Sequence, residues 1–410
     1  MTAADSSTGL VLDAFPQDAA CQRPEHGSNG RCDPNKTVPA FSTSQLVQDV
    51  TAAIYSLSPQ HRQVFRWSAK SQSYLNPLFV GKIASFGNET PVQMAVNATQ
   101  QRLYLVYASG RISYIDLTDN KEKPFAGIDA GGRIGVIGQY LLGQDATGAW
   151  SSHHIFDKNG VKTAMRDWNY QSAELAWSDK LARLFYFSDH SPNVIVYEDI
   201  SLAGKITAYG EKSYHNDADP RLGGRLFISA DSTSLLTGAG WLLDPVSLTS
   251  MEKLQAPDSS QIRSAYWLQG QLVTAKERQV QIFDQGSHRF RLQFSFTHSI
   301  AGMFQLPDLL VVALHTPAGL AYQTIAMSDQ DLDGLPGWWE QYYQLSNQNA
   351  ADALTDPDKD ELNNLEEYQQ ATDPTHSDTD QDGLSDCAEV KIQLNQPLID
   401  AFDGDGLTDG

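Results

Sequence analysis

The sequence predicts a mainly β protein, a seven-bladed β-propeller over residues 43–327 followed by a small region of acidic loops over 328–410. Three observations lead there. Short alternating strands of 5–7 residues recur between Gly, Asn, Asp and Ser clusters. One strand type returns about every 40–45 residues, the spacing of a blade. The charge is concentrated at the C-terminal end. Of a net −21 over 410 residues, 328–410 holds 16 Asp and 5 Glu against Lys359 and Lys391, a net of −19. That shift marks a domain boundary.

Residues 1–42 are rich in Ser, Pro, Asn, Asp and Gly and read as an irregular leader. A disulfide between Cys21 and Cys32 would close a short loop there, contribute on the order of 3 kcal/mol, and favour an oxidising compartment. Cys387 would then be the odd thiol, and the plainer alternative is two free thiols at Cys21 and Cys32.

The recurring strand ends in an apolar residue, usually followed by an acid. It appears at Gln63–Trp67, Arg111–Asp116, His153–Asp157, Val194–Glu198, Gly240–Asp244, Val280–Asp284 and Ala321–Ile325. From Trp67 through Ile115, Phe156, Tyr197, Leu243 and Phe283 to Ile325 the intervals are 48, 41, 41, 46, 40 and 42. A four-stranded sheet with two apolar faces is covered on both only when such sheets stack radially. Seven occurrences predict seven blades, with six or eight open because the first and last units are incomplete. A blade shared by strands from both chain ends would explain that. The unit is clearest at 93–127, where Arg102-Leu-Tyr-Leu-Val-Tyr107 precedes Gly110-Arg-Ile-Ser-Tyr-Ile-Asp116. On these residues the chain resembles the YVTN/WD40-like propellers. The resemblance implies an architecture rather than a function.

The acidic region has a finer pattern. Asp329, Asp331 and Asp333 alternate, Gly334 follows, and Glu340 stands at position 12 counted from Asp329. Asp356, Asp358 and Asp360 repeat this with Glu367, and Asp378, Asp380 and Asp382 repeat it with Asp386 at position 9 and Glu389 at 12. Oxygens at 1, 3 and 5, the carbonyl at 7 (Leu335, Leu362, Leu384) and a carboxylate at 12 can surround one ion, and hard oxygens in that number suit Ca²⁺. A fourth loop with Asp403, Asp405 and Asp409 begins near Ala401, and the sequence stops before its position 12, so further domains of a longer chain are expected. Asp356-Pro-Asp-Lys-Asp360, Asn363-Asn-Leu-Glu-Glu-Tyr368, Thr372-Asp-Pro-Thr375 and Asp378–Asp386 with Glu389 resemble the bacterial thrombospondin type 3 repeat. That resemblance implies calcium bound in series, in an EF-hand-like stalk or spacer of a secreted or surface protein. Glu361 departs from it, standing where Gly is expected at position 6. Trp338, Trp339, Tyr342 and Tyr343 read as packing residues, with a ligand platform as the alternative.

Several classes are excluded. An acidic chain without a basic patch is a poor nucleic-acid binder. The apolar run Leu309–Leu314 is far shorter than the roughly 20 residues of a membrane helix. Met1-Thr-Ala-Ala-Asp5 has no secretory n-region or h-region, so the chain is cytosolic or has had its leader removed.

No Gly-x-Ser-x-Gly or His-Glu-x-x-His motif is present. His153 and His154 lie in a strand that would turn one ring in and one out. Asp189-His190 and His215-Asn-Asp217-Ala-Asp219 lie in loops, and Asn88-Glu-Thr90 and Asn97-Ala-Thr99 match the glycosylation acceptor pattern. The expected protein is a calcium-binding adhesion or interaction module, outside the cell or on its surface, taking a protein or glycan ligand at its propeller loops. The alternative is an extracellular polysaccharide hydrolase or lyase with its site at the propeller mouth. It requires carboxylates or histidines converging at the central channel.

Overall fold

A computed structural model describes residues 45–49, 51–81, 83, 86, 87, 89–129, 132–145, 151–169, 175–188, 193–214 and 222–393. The leader with Cys21 and Cys32, the fourth loop with Asp403, Asp405 and Asp409, and Asn88, Asp189, His190, His215, Asp217 and Asp219 lie outside these. Among the described residues the chain divides into two compact units, 45–304 with 313–321 and 305–312 with 322–393.

Seven antiparallel sheets form seven blades, at 45–79, 91–127, 133–169, 175–213, 226–253, 264–295 and 300–326. Six have four strands in sequence order and the seventh has three among the described residues. The recurring strand of the sequence is the third strand of every blade. The blade at 91–127 contains the four expected strands, Pro91–Asn97, Arg102–Tyr107, Arg111–Asp116 and Lys121–Gly127. A fourth strand for the last blade, supplied by the other chain end, would lie outside the described residues.

The cores lie between blades. Tyr55, Leu57 and Val64 of the first pack with Met94, Leu103 and Leu105 of the second. Ile112 and Tyr104 of the second meet Ile134 and Leu141 of the third. Side chains of the innermost strands also join neighbours: Gln45 Oε1 accepts from Met94 N and Gln93 Oε1 from Ile134 N, both at 2.6 Å. Gly302 of the last blade lies so close to the first that a Cβ there would sit 3.2 Å from Leu46 Cδ1. With both faces of each sheet covered, the middle strands are mostly buried, polar residues included, and Leu310–Ala313 are fully buried in succession.

In the other unit, helix α1 (Gly337–Tyr343) starts after Pro336, whose fixed φ suits a helix start. Gln341 of α1 donates to Thr324 O and accepts from Ala326 N. Helix α2 (Asn364–Gln370) has a reciprocal capping box between Asn363 and Glu366. A 3-10 turn at Asp352–Leu354 stands between the helices, and a π-helical turn at Ala388–Gln393 ends the described chain. Among the described residues no helix is long and apolar enough to cross a membrane.

Candidate metal centre

The three acidic loops share one hydrogen-bonded frame. The Asp at position 1 accepts the position 4 amide on Oδ1 at 2.7 Å and the position 6 amide on Oδ2 at 3.0 Å in every loop. These pairs are Asp329 with Leu332 and Gly334, Asp356 with Lys359 and Glu361, and Asp378 with Gln381 and Gly383. The Asp at position 5 accepts the position 7 amide at 2.7–2.8 Å, at Asp333, Asp360 and Asp382. Positions 4 and 6 have positive φ in all three. Gly334 and Gly383 adopt this freely, whereas Glu361 holds φ 82°, a strained region for a residue with a Cβ.

The frame uses some carboxylate oxygens and leaves others buried without a hydrogen bond: both of Asp331, Oδ2 of Asp333, Asp358 and Asp382, both of Glu340, and Oε2 of Glu367 and Glu389. Carboxylate oxygens within each trio, Asp329/Asp331/Asp333, Asp356/Asp358/Asp360 and Asp378/Asp380/Asp382, lie within 4.8 Å of one another. The position 12 residues are almost wholly buried, Glu340 and Glu367 at 0 % exposure and Glu389 at 1 %.

Such crowding opposes ionisation. Burial, then the charges of Asp331, Asp333, Asp352 and Asp329, push Glu340 up to about 8. Burial and the charges of Asp358, Asp386 and Asp360 push Glu367 up to about 8 against the Thr372 hydroxyl, which lowers it. Glu389 is pushed up to about 7 by burial and the four aspartates around it, and Asp358 to about 6 by burial and Asp360. Unpartnered buried carboxylate oxygens in convergent sets are costly unless a cation or proton compensates them. A hard divalent cation fits the chemistry of these groups, which offer carboxylate oxygens and no nitrogen or sulfur.

Asp386, at position 9 of the third loop, has both oxygens engaged by Thr379, from N at 2.9 Å and Oγ1 at 2.7 Å. It lies between the second and third sets, since its charge raises both Glu367 and Glu389. Leu335 and Leu362 bury their side chains, at 0 % and 1 % exposure, and Leu384 is half-buried. Trp338 and Trp339 are buried with their rings at 5.9 Å edge-to-face from Tyr368 of α2, so the aromatic run packs one repeat on the next.

Asp352 was not among the sequence candidates. One of its carboxylate oxygens lies within 4.8 Å of those of Asp333 and Glu340. It falls outside the twelve-residue window, so loop spacing could not reveal it.

The propeller residues singled out above have structural surroundings. His153 and His154 are both buried, rather than one in and one out, because the blade is covered on both faces. His153 Nδ1 is 3.0 Å from both oxygens of Glu198, which also accepts from Arg166 and Tyr186. His154 Nε2 lies 3.3 Å from Asp145 Oδ2. Burial opposes the Glu198 charge, but His153, Tyr186 and Arg166 outweigh it and hold the carboxyl down at about 2. Asn97 is buried and bonded to Gln100 N and Gly138 O, which leaves its amide inaccessible to a glycan.

A cavity of about 570 Å³ is lined by residues on or next to the innermost strands of six blades, among them Gln93, Arg133, Ser264 and Tyr266. Among the described residues its lining holds no Asp, Glu or His.

No family model matches the chain, and no curated protein matches it. Solved structures do. A crystal structure of the WD40 β-propeller domain of Doa1 is similar at a TM-score of 0.51 and 12% identity, over 70% of this chain and 93% of that one. A chain of a mitotic checkpoint complex is similar at 0.52 and 14%, over 76% and 98%. The fold is a WD40-like seven-bladed β-propeller. At these identities the likeness concerns the fold alone, and a WD40-like propeller is compatible with a binding module.

Proposed function

We propose that this protein is a calcium-binding interaction module, with a propeller that presents its loops to a protein or glycan and a C-terminal array of thrombospondin type 3-like loops stiffened by Ca²⁺. The observation that carries the reading is the threefold repetition of one hydrogen-bonded loop frame, each copy leaving an oxygen of its position 12 glutamate buried and unpartnered. Calcium would supply the positive charge that these carboxylates lack. Asp331, Asp333 and Glu340 would hold the first ion, Asp358, Asp360 and Glu367 the second, and Asp380, Asp382 and Glu389 the third. Position 1 aspartates orient the loop through the amides of positions 4 and 6.

Extracellular sites of this kind bind at about 10⁻⁴–10⁻³ M, which matches a secreted or surface-attached protein and a site empty in the cytosol. Binding to the folded form alone would stabilise the array. Isothermal titration of the chelator-stripped chain with CaCl₂ tests this. Saturable binding of about three ions per chain at millimolar calcium, together with a raised unfolding temperature, is the expected result. Absence of both overturns the reading.

A further inference from the structure

We propose that Asp352 is a direct ligand of the first metal site, reaching it from the segment that leads into the second loop. The inference rests on the calcium reading above and adds to it a residue that loop spacing does not assign. Three observations carry it.

First, a carboxylate oxygen of Asp352 lies within 4.8 Å of oxygens of Asp333 and Glu340. Second, Glu340 is fully buried and both its oxygens lack any hydrogen-bond partner, so the cluster contains a buried carboxylate aimed into it with nothing to compensate it. Third, Asp352 is held so that only one oxygen is left for a ligand. Its Oδ2 accepts from Ser346 N at 2.9 Å, while its Oδ1 is buried and unpartnered. Its backbone is fixed as well: N donates to Asn349 O at 3.0 Å, and O accepts from Thr355 N at 3.0 Å and from Asn364 Nδ2 at 2.8 Å.

The last contact gives the ligand a mechanical consequence. Asn364 is the first residue of α2 and is fully buried, and its amide donates to Thr355 O at 2.9 Å. An ion held by Asp333, Glu340 and Asp352 therefore bridges the first loop to the turn on which the second repeat is built. The first site acts as a clamp between repeats as well as a loop filler.

The test is calcium titration of the full chain, chelator-stripped, as wild type and as Asp352→Asn, Glu340→Gln and Asp373→Asn. Glu340→Gln defines the loss of the first site. Asp373→Asn removes one carboxylate of the same region that is absent from the cluster, and so controls for net charge. In Asp352→Asn the oxygen is retained by Ser346 N and the amide group turns toward the ion. The expected result is a loss of affinity of about tenfold or more in the binding component that Glu340→Gln removes, with Asp373→Asn within about twofold of wild type. Far-UV circular dichroism without calcium should be unchanged, because removing a like charge relieves the empty cluster. Wild-type binding with Asp352→Asn indistinguishable from Asp373→Asn overturns the assignment and leaves the calcium reading standing. No binding by the wild type overturns both.

Discussion

Asp360 and Cys387 are 27 residues apart, yet the Asp360 Oδ2 accepts the Cys387 amide at 2.8 Å while Oδ1 accepts that of Leu362 at 2.7 Å. A carboxylate of the second loop thus holds the backbone that closes the third. Lys391 reinforces the junction by donating to Glu361 O at 2.6 Å and pairing with Glu366.

On the calcium reading proposed above, this linkage should couple the second and third sites. Glu389→Gln, which removes the position 12 carboxylate of the third loop, is expected to weaken calcium at the second site by about fivefold as well. Site-resolved titration by NMR of the Gly383 and Glu361 amides would read both. A second site that titrates as in wild type would show that the Asp360–Cys387 bond transmits nothing.

Glu361 is the one position 6 residue of the three loops that is not glycine, at φ 82°. Glu361→Gly should stabilise the calcium-bound form by about 1 kcal/mol, because the strained conformation costs a β-carbon about that much. Glu361→Ala removes the same charge and keeps the β-carbon, so it should give no comparable gain. Thermal unfolding in millimolar calcium compares the two, and equal effects would assign the change to charge instead.

Calcium removal should act on the acidic region and spare the propeller. Its unpartnered carboxylates are mutually repulsive without a cation, whereas the blade cores hold no metal-ligand cluster among the described residues. Limited proteolysis in EDTA is expected to cut between 328 and 393 and to leave a protected fragment containing the blades. A digestion pattern identical with and without calcium would count against a stabilising role.

Glu198 anchors the third and fourth blades by binding His153 and Arg166 of one and Tyr186 of the other. Glu198→Gln should destabilise the propeller by about 3 kcal/mol, since it leaves a buried partner set without its charge. Its carboxyl is held down at about 2 against an ordinary 4.5, so its contribution is complete above pH 4.5 and lost as pH falls toward 2. The gap in unfolding temperature between wild type and variant should therefore be widest at neutral pH and close in acid. A gap independent of pH would remove the ionic explanation.

Much of this protein was legible as pattern. The third strand of each blade was readable because an alternating strand with a terminal acid repeats at a nearly constant interval, and radial stacking is what covers such sheets on both faces. The clustering of carboxylates in the trios at Asp329, Asp356 and Asp378 was readable because positions 1, 3 and 5 of one tight loop are neighbours in sequence. What the sequence could not carry was anything set by contacts between segments far apart. Alternation along one strand suggested an outward ring for His153 or His154, and only the neighbouring blade buries both. Likewise, only the folded chain brings Asp352 to Glu340, turns both oxygens of Asp386 to Thr379, and ties Asp360 to Cys387. Local spacing records which oxygens one loop can offer. Which carboxylates are left without a partner, and which belong to the next repeat, depends on long-range packing that desolvates them, and a one-dimensional period contains no information about it.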